Sequence, residues 1–551
     1  MCSHSELNPS AYAIFERHAG FIDLERVGAL RVLVVGGEQA WILRMLELML
    51  MLGFARDGGT IEVASDSSLE RELSILDHST ALPSDAVSLL SCEGVIARKR
   101  SYDVVFCLSE NEKFVNTVKD LRSKLHVYGC TGACSIAWGE HPMSFTSSVR
   151  SVFKPVLYAL LAAVMVNQAL IRLGCYRGVP FNRAYLLLKL LLPIRYEYLQ
   201  REDVSFRAYL LNRIYPVNLR VTEDSTTGLA FLELLVPHCP DVLNVILHSL
   251  RVEAFKGGKL TELLEIRAGE KGVFSFLEGV EVVEECGRLD ERGAPSLPSE
   301  LSRLNVFIGG VGAIGTWISY LLSQTTIGEL ELSLLDMDTV EYHNLNRQVL
   351  FKVDDVGLPK VEAVKRALLS LKDLGLISSR ALNISSIERE LDSTVVYGCE
   401  DSEISSVLEE ADIVVACFDN GRSRALLNRL SLRYGKAYVY SGCELPLVQV
   451  LLIPPEKGCV LCWLGNKVEE DTTRVSCIWG DIPLASSPLL SVTAAALASL
   501  SLIAYKAGLE HLHAAWHHLY RNEFSKCPHR SVECPIHRVK EECRMHEGGI
   551  V

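Results

Sequence analysis

The sequence predicts an α/β protein of two Rossmann-like units in tandem, the first degraded and the second intact, closed by a cysteine-rich stretch. Three observations predict it. A β-branched strand running into glycines occurs twice, at Arg31 to Gly37 and at Leu304 to Gly315. Four landmarks then recur in the same order in both halves, as a tandem duplication would leave them. Near the carboxyl end, Cys459-Val-Leu-Cys462 is followed at a distance by Cys527 and Cys534. At 551 residues the chain exceeds what one core usually holds, since domains run to about 150 residues.

In the first unit, Arg31 to Gly37 is a strand, a long apolar helix covers about Ala40 to Leu52, and a second strand covers Thr60 to Ala64. Its turn, Gly36-Gly37-Glu38-Gln39-Ala40-Trp41, puts a carboxylate and an indole where a phosphate needs bare backbone. Nucleotide binding there is not expected. The landmarks shared with the second unit begin with this strand and turn. They continue with Asp103 to Asn111 against Asp412 to Asn420, Tyr128-Gly-Cys130 against Tyr440-Ser-Gly-Cys443, and apolar helices starting at Pro155 and Pro488. Glu110 stands where the second unit has Asp419. From Tyr176 to Gly287, helical runs such as Tyr185 to Leu192 alternate with strands such as Leu229 to Val236, and no chemistry is legible. Arg288 to Glu300 reads as a linker. The expected boundaries are therefore 1–175, 176–295 and 296–551.

Composition narrows the function. With 49% hydrophobic and 22% charged residues the chain has the balance of a soluble globular protein. A formal charge of -13 argues against a nucleic-acid surface. The amino terminus shows no basic region followed by an apolar core, so a cytoplasmic protein is expected. The most apolar run, Val156 to Leu173, is broken by Asn167 and Gln168 and reads as a buried helix, so no membrane partner is expected. Seventeen scattered cysteines suit reduced thiols better than a disulfide framework.

The second unit carries the chemistry. Its glycines, Gly310-Val-Gly312-Ala313-Ile-Gly315, let backbone approach a phosphate at the start of a helix, and Asp336 follows at the distance of a ribose-binding carboxylate. Alone, this fits NAD binding or a structural turn equally well. Then come Asp336-Met-Asp338, Asn344-Leu-Asn346-Arg347-Gln348 and Pro359-Lys360. Asp412 to Asn420 adds a buried strand delivering Asp419 and Asn420 at its carboxyl end, a site edge in an open α/β sheet.

Together these residues closely resemble the ThiF/MoeB superfamily of adenylyltransferases, which includes the activating enzymes of ubiquitin and ubiquitin-like proteins. The resemblance spans Leu304 to about His537 and, faintly, Ile14 to Gly174. It implies tandem ThiF-type adenylation domains, ATP as substrate and magnesium as cofactor. Adenylating a carboxylate builds negative charge on the α-phosphoryl oxygens and the departing pyrophosphate. Arg347 and Lys360 are the candidate cations, with Asn344 and Gln348 orienting the triphosphate. Asp419 suits magnesium, and Asn420 either supports the nucleotide or caps the next helix. Arg347 pairing with a surface acid is the plainer alternative.

The resemblance extends to further residues. Zinc is common in the family, and Cys459, Cys462, Cys527 and Cys534 form the expected set, although six residues separate the second pair and His529, His537 and Cys543 lie nearby. A redox role for Cys459 and Cys462 is the lesser alternative. Cys477 occupies the crossover segment where relatives carry the cysteine that takes the acyl group. It reads as that nucleophile or as a small buried residue. Arg17 matches the arginine that relatives lend to a partner's ATP site, or is a solvated surface residue. The function implied is adenylation of the terminal glycine of a β-grasp, ubiquitin-like protein, then thioester transfer to Cys477, with a conjugating enzyme and a homodimer as further partners. Adenylation of a sulfur carrier or a ribosomal peptide is the alternative, and a scaffold without turnover is the alternative from another class.

Overall fold

A computed structural model of the chain describes residues 14–15, 22–65, 67–81, 84–91, 94, 100–109, 112–130, 135–138, 154–175, the strands between 187 and 275, 300–391, 402–444, 447–455, 460, 478–479, 482–483 and 487–508. The first half runs β1 (Arg31–Val35), α1 (Gln39–Met51), β2 (Thr60–Ala64), α2 (Glu70–Ser79), β3 (Val87–Leu90), β4 (Tyr102–Cys107), β5 (Ser123–Cys130), β6 (Ser135–Trp138) and α3 (Lys154–Arg172). The second half runs β14 (Leu301–Gly309), α4 (Ala313–Ser323), β15 (Ile327–Leu335), α5 (Lys360–Asp373), β16 (Ala381–Ile387), β17 (Ile413–Ala416), α6 (Gly421–Arg433), β18 (Ala437–Glu444), β19 (Leu447–Ile453) and α7 (Pro488–Lys506).

The two sheets have one topology. The first is ordered β3-β2-β1-β4-β5-β6 and the second β16-β15-β14-β17-β18-β19, each parallel except for its last strand. Local bonds repeat as well. The Gly36 N–H donates to Ala64 O as the Gly310 N–H does to Leu335 O, both at 2.8 Å. Asp103 accepts the Arg31 N–H at 2.9 Å and pairs with Lys124 at 2.7 Å. Asp412 accepts the Asn305 N–H at 2.8 Å and pairs with Lys506 at 2.5 Å. The central strands are near-continuous apolar runs because helices cover a parallel sheet on both faces.

Between the halves lie β7 (Leu187–Leu191), β8 (Val204–Leu210), β9 (Arg213–Asp224), β10 (Leu229–Leu235), β11 (Leu250–Lys256) and β12 (Lys259–Ile266), one antiparallel sheet of six strands. The helix expected over Tyr185 to Leu192 is therefore corrected: Leu187–Leu191 is a strand paired with β10. A short leucine-rich run has no period of its own, and pairing with a neighbour decides it. The next strand, β13 (Val273–Ser275), leaves this sheet and joins the edge of the first one at β6.

The core crosses from one half to the other. Helices α1 and α3 of the first half meet α4 and α7 of the second, and one continuous apolar cluster includes Trp41, Met45, Val156 and Met165 with Trp317, Ile318, Val492 and Ala495. This explains why α1 and α7 are predominantly apolar and buried along most of their length: each is covered on its sheet side and on its helix side. Among the described helices, α7 is long and apolar enough to cross a membrane by length and composition, and here it is packed within this core.

Candidate functional site

The site forms at the carboxyl ends of β14, β15 and β17, beside the point where connections leave β14 in opposite directions. Gly310 sits at φ +87, and a Cβ there would stand 2.6 Å from the backbone of Cys417 and Phe418. Only glycine allows that turn to close on the end of β17. A Cβ on Gly315 would strike the Gly310 carbonyl. Gly312, which caps α4, is different: a Cβ there meets nothing within 4 Å, so this part of the turn faces open space.

Asp336 ties the turn to the next segment. Its Oδ2 accepts the Val311 N–H at 2.6 Å and its Oδ1 the Asp338 N–H at 2.8 Å. Burial pushes this carboxyl above its ordinary value, opposed by the nearby Lys360 ammonium and these two N–H groups. Asp338 in turn takes the Lys360 Nζ at 2.8 Å, and its carbonyl accepts the Lys360 N–H at 2.9 Å. Val311, Asp336, Asp338 and Lys360 thus form one connected network, with Lys360 at the first residue of α5.

Asn344, Asn346, Arg347 and Gln348 are all buried. The Asn344 side-chain oxygen accepts the Glu341 N–H at 3.0 Å and closes its own turn. Arg347 Nη1 donates to Asn346 Oδ1 at 3.0 Å and to the His343 carbonyl, while the Arg347 carbonyl accepts Trp317 Nε1–H at 3.1 Å. Trp317 lies on α4, so the helix behind the glycine turn also holds the arginine segment. On either side of Arg347, Asn346 Nδ2 and Gln348 Oε1 are buried without a hydrogen-bond partner. A buried amide left unpaired costs free energy unless a ligand or water meets it.

Asp419 is exposed at the end of β17, one residue beyond the Phe418 that packs on the glycine turn. Asn420 is the N-cap of α6, its Oδ1 accepting the Ser423 N–H at 2.8 Å, so the cap expected as an alternative is present. Arg424, which the sequence did not single out, donates Nε–H to the Phe418 carbonyl at 2.6 Å and stacks 4.3 Å over Tyr440, fixing the backbone before Asp419. Burial pushes the adjacent Cys417 thiol up to about 12, which leaves it protonated and unreactive at neutral pH.

The first half carries the same turn in closed form. Glu38 holds the helix-capping place that Gly312 holds in the second half, and it is ion-paired with Lys154. Trp41, in the place of Gly315, is buried and stacked on Tyr158 at 5.5 Å. Arg17, Glu110, Cys477 and the cysteines at 459, 462, 527 and 534 lie outside the described residues. Among the described residues no group of three or more His, Cys, Asp or Glu side chains is placed to hold a metal.

A buried cation flanked by an unpaired amide donor and an unpaired amide acceptor, a lysine at a helix start, an open glycine turn and an exposed carboxylate fit a nucleoside triphosphate with its divalent cation. Comparison with known proteins gives the following likenesses. Residues 291–536 match the model of the ThiF family. Among curated proteins, the chain is 29% identical over 184 residues to ubiquitin-like modifier-activating enzyme 5 of Dictyostelium discoideum, covering 32% of this chain and 45% of that protein. It is 28% identical over 173 residues to the sulfur carrier protein ThiS adenylyltransferase of Bacillus subtilis (31% and 46%), and 34% identical over 123 residues to the molybdopterin-synthase adenylyltransferase of Escherichia coli (22% and 43%). The chain spans less than half the length of these curated relatives. A crystal structure of E. coli MccB with ATP matches at 27% identity and a TM-score of 0.29, over 37% of this chain and 56% of that one.

Proposed function

From the premise that residues 291–536 belong to the ThiF family, we propose that the chain activates a carboxylate by adenylation with ATP. The observation that carries this reading is the Asn346-Arg347-Gln348 segment, a buried guanidinium whose two sequence neighbours hold an unpaired amide nitrogen (Asn346 Nδ2) and an unpaired amide oxygen (Gln348 Oε1), beside the open turn at Gly312. The substrate carboxylate oxygen attacks the α-phosphorus of ATP, a new acyl–phosphate bond forms, and the bond to pyrophosphate breaks. Arg347 and Lys360 meet the charge that grows on the phosphoryl oxygens and the leaving group. Asn346 Nδ2 and Gln348 Oε1 fix the nucleotide. Asp419 would hold magnesium, which supplies further charge neutralisation when bound.

The substrate in this reading is the carboxy-terminal glycine of a ubiquitin-like protein, and the Cys477 thiolate then attacks the acyl carbon, forming a thioester and releasing AMP. Arg17 completes the ATP site from the first half, whose matching topology supports a duplication with one copy decayed. A conjugating enzyme takes the thioester onward, the assembly is a homodimer, and the setting is cytoplasmic. Cys459, Cys462, Cys527 and Cys534 hold a structural zinc, and purified protein without zinc would remove that part.

The test is ATP–pyrophosphate exchange that depends on a small protein ending in glycine. Exchange is expected with such a partner and not with the same partner lacking its terminal glycine. No exchange with any such protein would sink the reading. Replacing Cys477 by Ala is expected to leave exchange intact and abolish a thiol-labile adduct. A second reading, sulfur-carrier activation, is favoured by the likeness to sulfur-carrier adenylyltransferases. It is distinguished by exchange with a carrier protein that leaves no adduct on Cys477.

A further inference from the structure

Four side chains form a buried polar cluster where the halves meet. Arg44 and Glu47 lie on α1, Ser79 ends α2, and Tyr320 comes from α4 of the second half. Tyr320 donates its hydroxyl proton to Glu47 Oε1 at 2.5 Å, and Ser79 Oγ–H donates to the same oxygen at 2.9 Å. Arg44 Nη2 donates to Tyr320 Oη at 2.8 Å, and its Cζ lies 4.4 Å over the Tyr320 ring. The second guanidinium nitrogen sits 2.9 Å from Glu47 Oε2, an ion pair whose angle falls outside hydrogen-bond alignment. All four residues are fully or almost fully buried, in a region otherwise apolar.

The cluster ends at the arginine segment. The Ser79 carbonyl accepts the N–H of Leu350 at 2.6 Å, and Leu350 sits at φ +75, a conformation that a branched side chain rarely adopts. Leu350 follows Arg347 by three residues. The segment therefore has two anchors: Trp317 on the Arg347 carbonyl from within the second half, and Ser79 on Leu350 from the first. Tyr320, one helical turn beyond Trp317 on α4, links the two anchors through Glu47.

We propose that Glu47 and Ser79, with Arg44, are positioning residues for Arg347: the first half holds the strained Leu350 backbone and so fixes the guanidinium and its flanking amides. This rests on the adenylation reading for its activity readout, and the segment's rigidity can be measured without it. Burial pushes the Glu47 carboxyl up, and the Arg44 guanidinium beside it opposes that while Glu47 Oε1 accepts both hydroxyl protons. None of the three touches substrate. A bare buried ion pair often stabilises little, so the linkage to the site gives this one a role that an apolar replacement could not fill.

The experiment compares full-length wild type with Glu47→Ala, Glu47→Gln, Ser79→Ala and Arg347→Ala. Hydrogen exchange of the amides at 347–351 is expected to quicken by about tenfold or more in Glu47→Ala while those of β14 stay as protected as before, because only local opening is freed. Exchange activity at saturating ATP is expected to fall about tenfold or more, through lost orientation. Glu47→Gln keeps an acceptor oxygen and recovers part of that loss. In the Arg347→Ala background, Glu47→Ala adds little further, since both act on one group. Unchanged amide exchange at 347–351, or losses that simply multiply in the double variant, would overturn the proposal. Ser79→Ala leaves the Arg44–Glu47 pair in place and carries the same comparison if Glu47→Ala does not fold. A wild type inactive with every carboxylate leaves the amide readout to decide this proposal alone.

Discussion

At the scale of single residues, the three glycines of the turn separate architecture from chemistry. Gly310 combines φ +87 with backbone at 2.6 Å from where a Cβ would stand, so Gly310→Ala is expected to destabilise the fold by about 2 kcal/mol or more, from strain and overpacking together. Gly312 has an unstrained φ of −89 and open space around it. Gly312→Ala is therefore expected to unfold in urea at the wild-type midpoint yet bind ATP at least about tenfold more weakly, since its methyl occupies the approach to the phosphate. Calorimetric titration beside urea unfolding checks the pair, and normal ATP affinity in Gly312→Ala would move the phosphate elsewhere. The spacing of these glycines was legible in the sequence, because a turn of this kind needs particular residues at particular places. Which one faces the ligand was not, because it depends on β17 arriving from about a hundred residues away.

At the scale of elements, each sheet pins its fourth strand to its first with one aspartate, Asp103 or Asp412. Partial burial alone would raise the Asp103 carboxyl, but the Lys124 ammonium and the Arg31 N–H outweigh it and hold it below the usual range. A depressed folded pKa gives stability that is present above the unfolded value of about 3.9 and is lost as pH falls through the folded one. Asp103→Asn is thus expected to lower the urea midpoint at pH 7 and to converge with wild type as pH falls through the depressed folded pKa. A gap that persists at low pH would assign the loss to packing. The repeated Asp-Val-Val and Asp-Ile-Val-Val strings announced these strands, because a buried parallel strand is written locally as a β-branched run. Leu187–Leu191 shows the converse: five residues rich in leucine carry no period, and only the antiparallel partner β10 makes them a strand. The polar cluster had a visible trace, Arg44 and Glu47 one turn apart in a helix otherwise apolar, but not its partners Tyr320 and Ser79. Helix pairing across the halves is a property of shape, and no motif addresses it.

At the scale of the molecule, the absence of a seam between the halves matters more than their likeness. If each half were a separate domain, its sheet-covering helices would present polar faces outward. Instead α3 and α7 face each other, the apolar cluster runs through both sheets' helices, and a buried polar cluster of Arg44, Glu47, Ser79 and Tyr320 bridges the halves within it. Removing the second half would expose that cluster and take Tyr320 from Glu47 and Arg44, and removing the first would leave the buried Tyr320 hydroxyl without Glu47; an unsatisfied buried polar group costs about 1 to 3 kcal/mol. The two halves are therefore expected to open together. Native-state hydrogen exchange in rising denaturant is the direct measurement: the slowest amides of β1 and of β14 should report one opening free energy with one denaturant slope, as a single cooperative unit requires. If β1 instead opens at a distinctly lower free energy and with a shallower slope, the first half is a separate unit that docks. The Glu47–Ser79–Leu350 connection would then act as a contact between domains rather than as part of one core. With a single opening, the closed form of the first turn is understandable in physical terms. Trp41 stands where the second half has Gly315 and Lys154 pairs with Glu38, so this turn serves core and bracing and gives the proposed site a rigid wall.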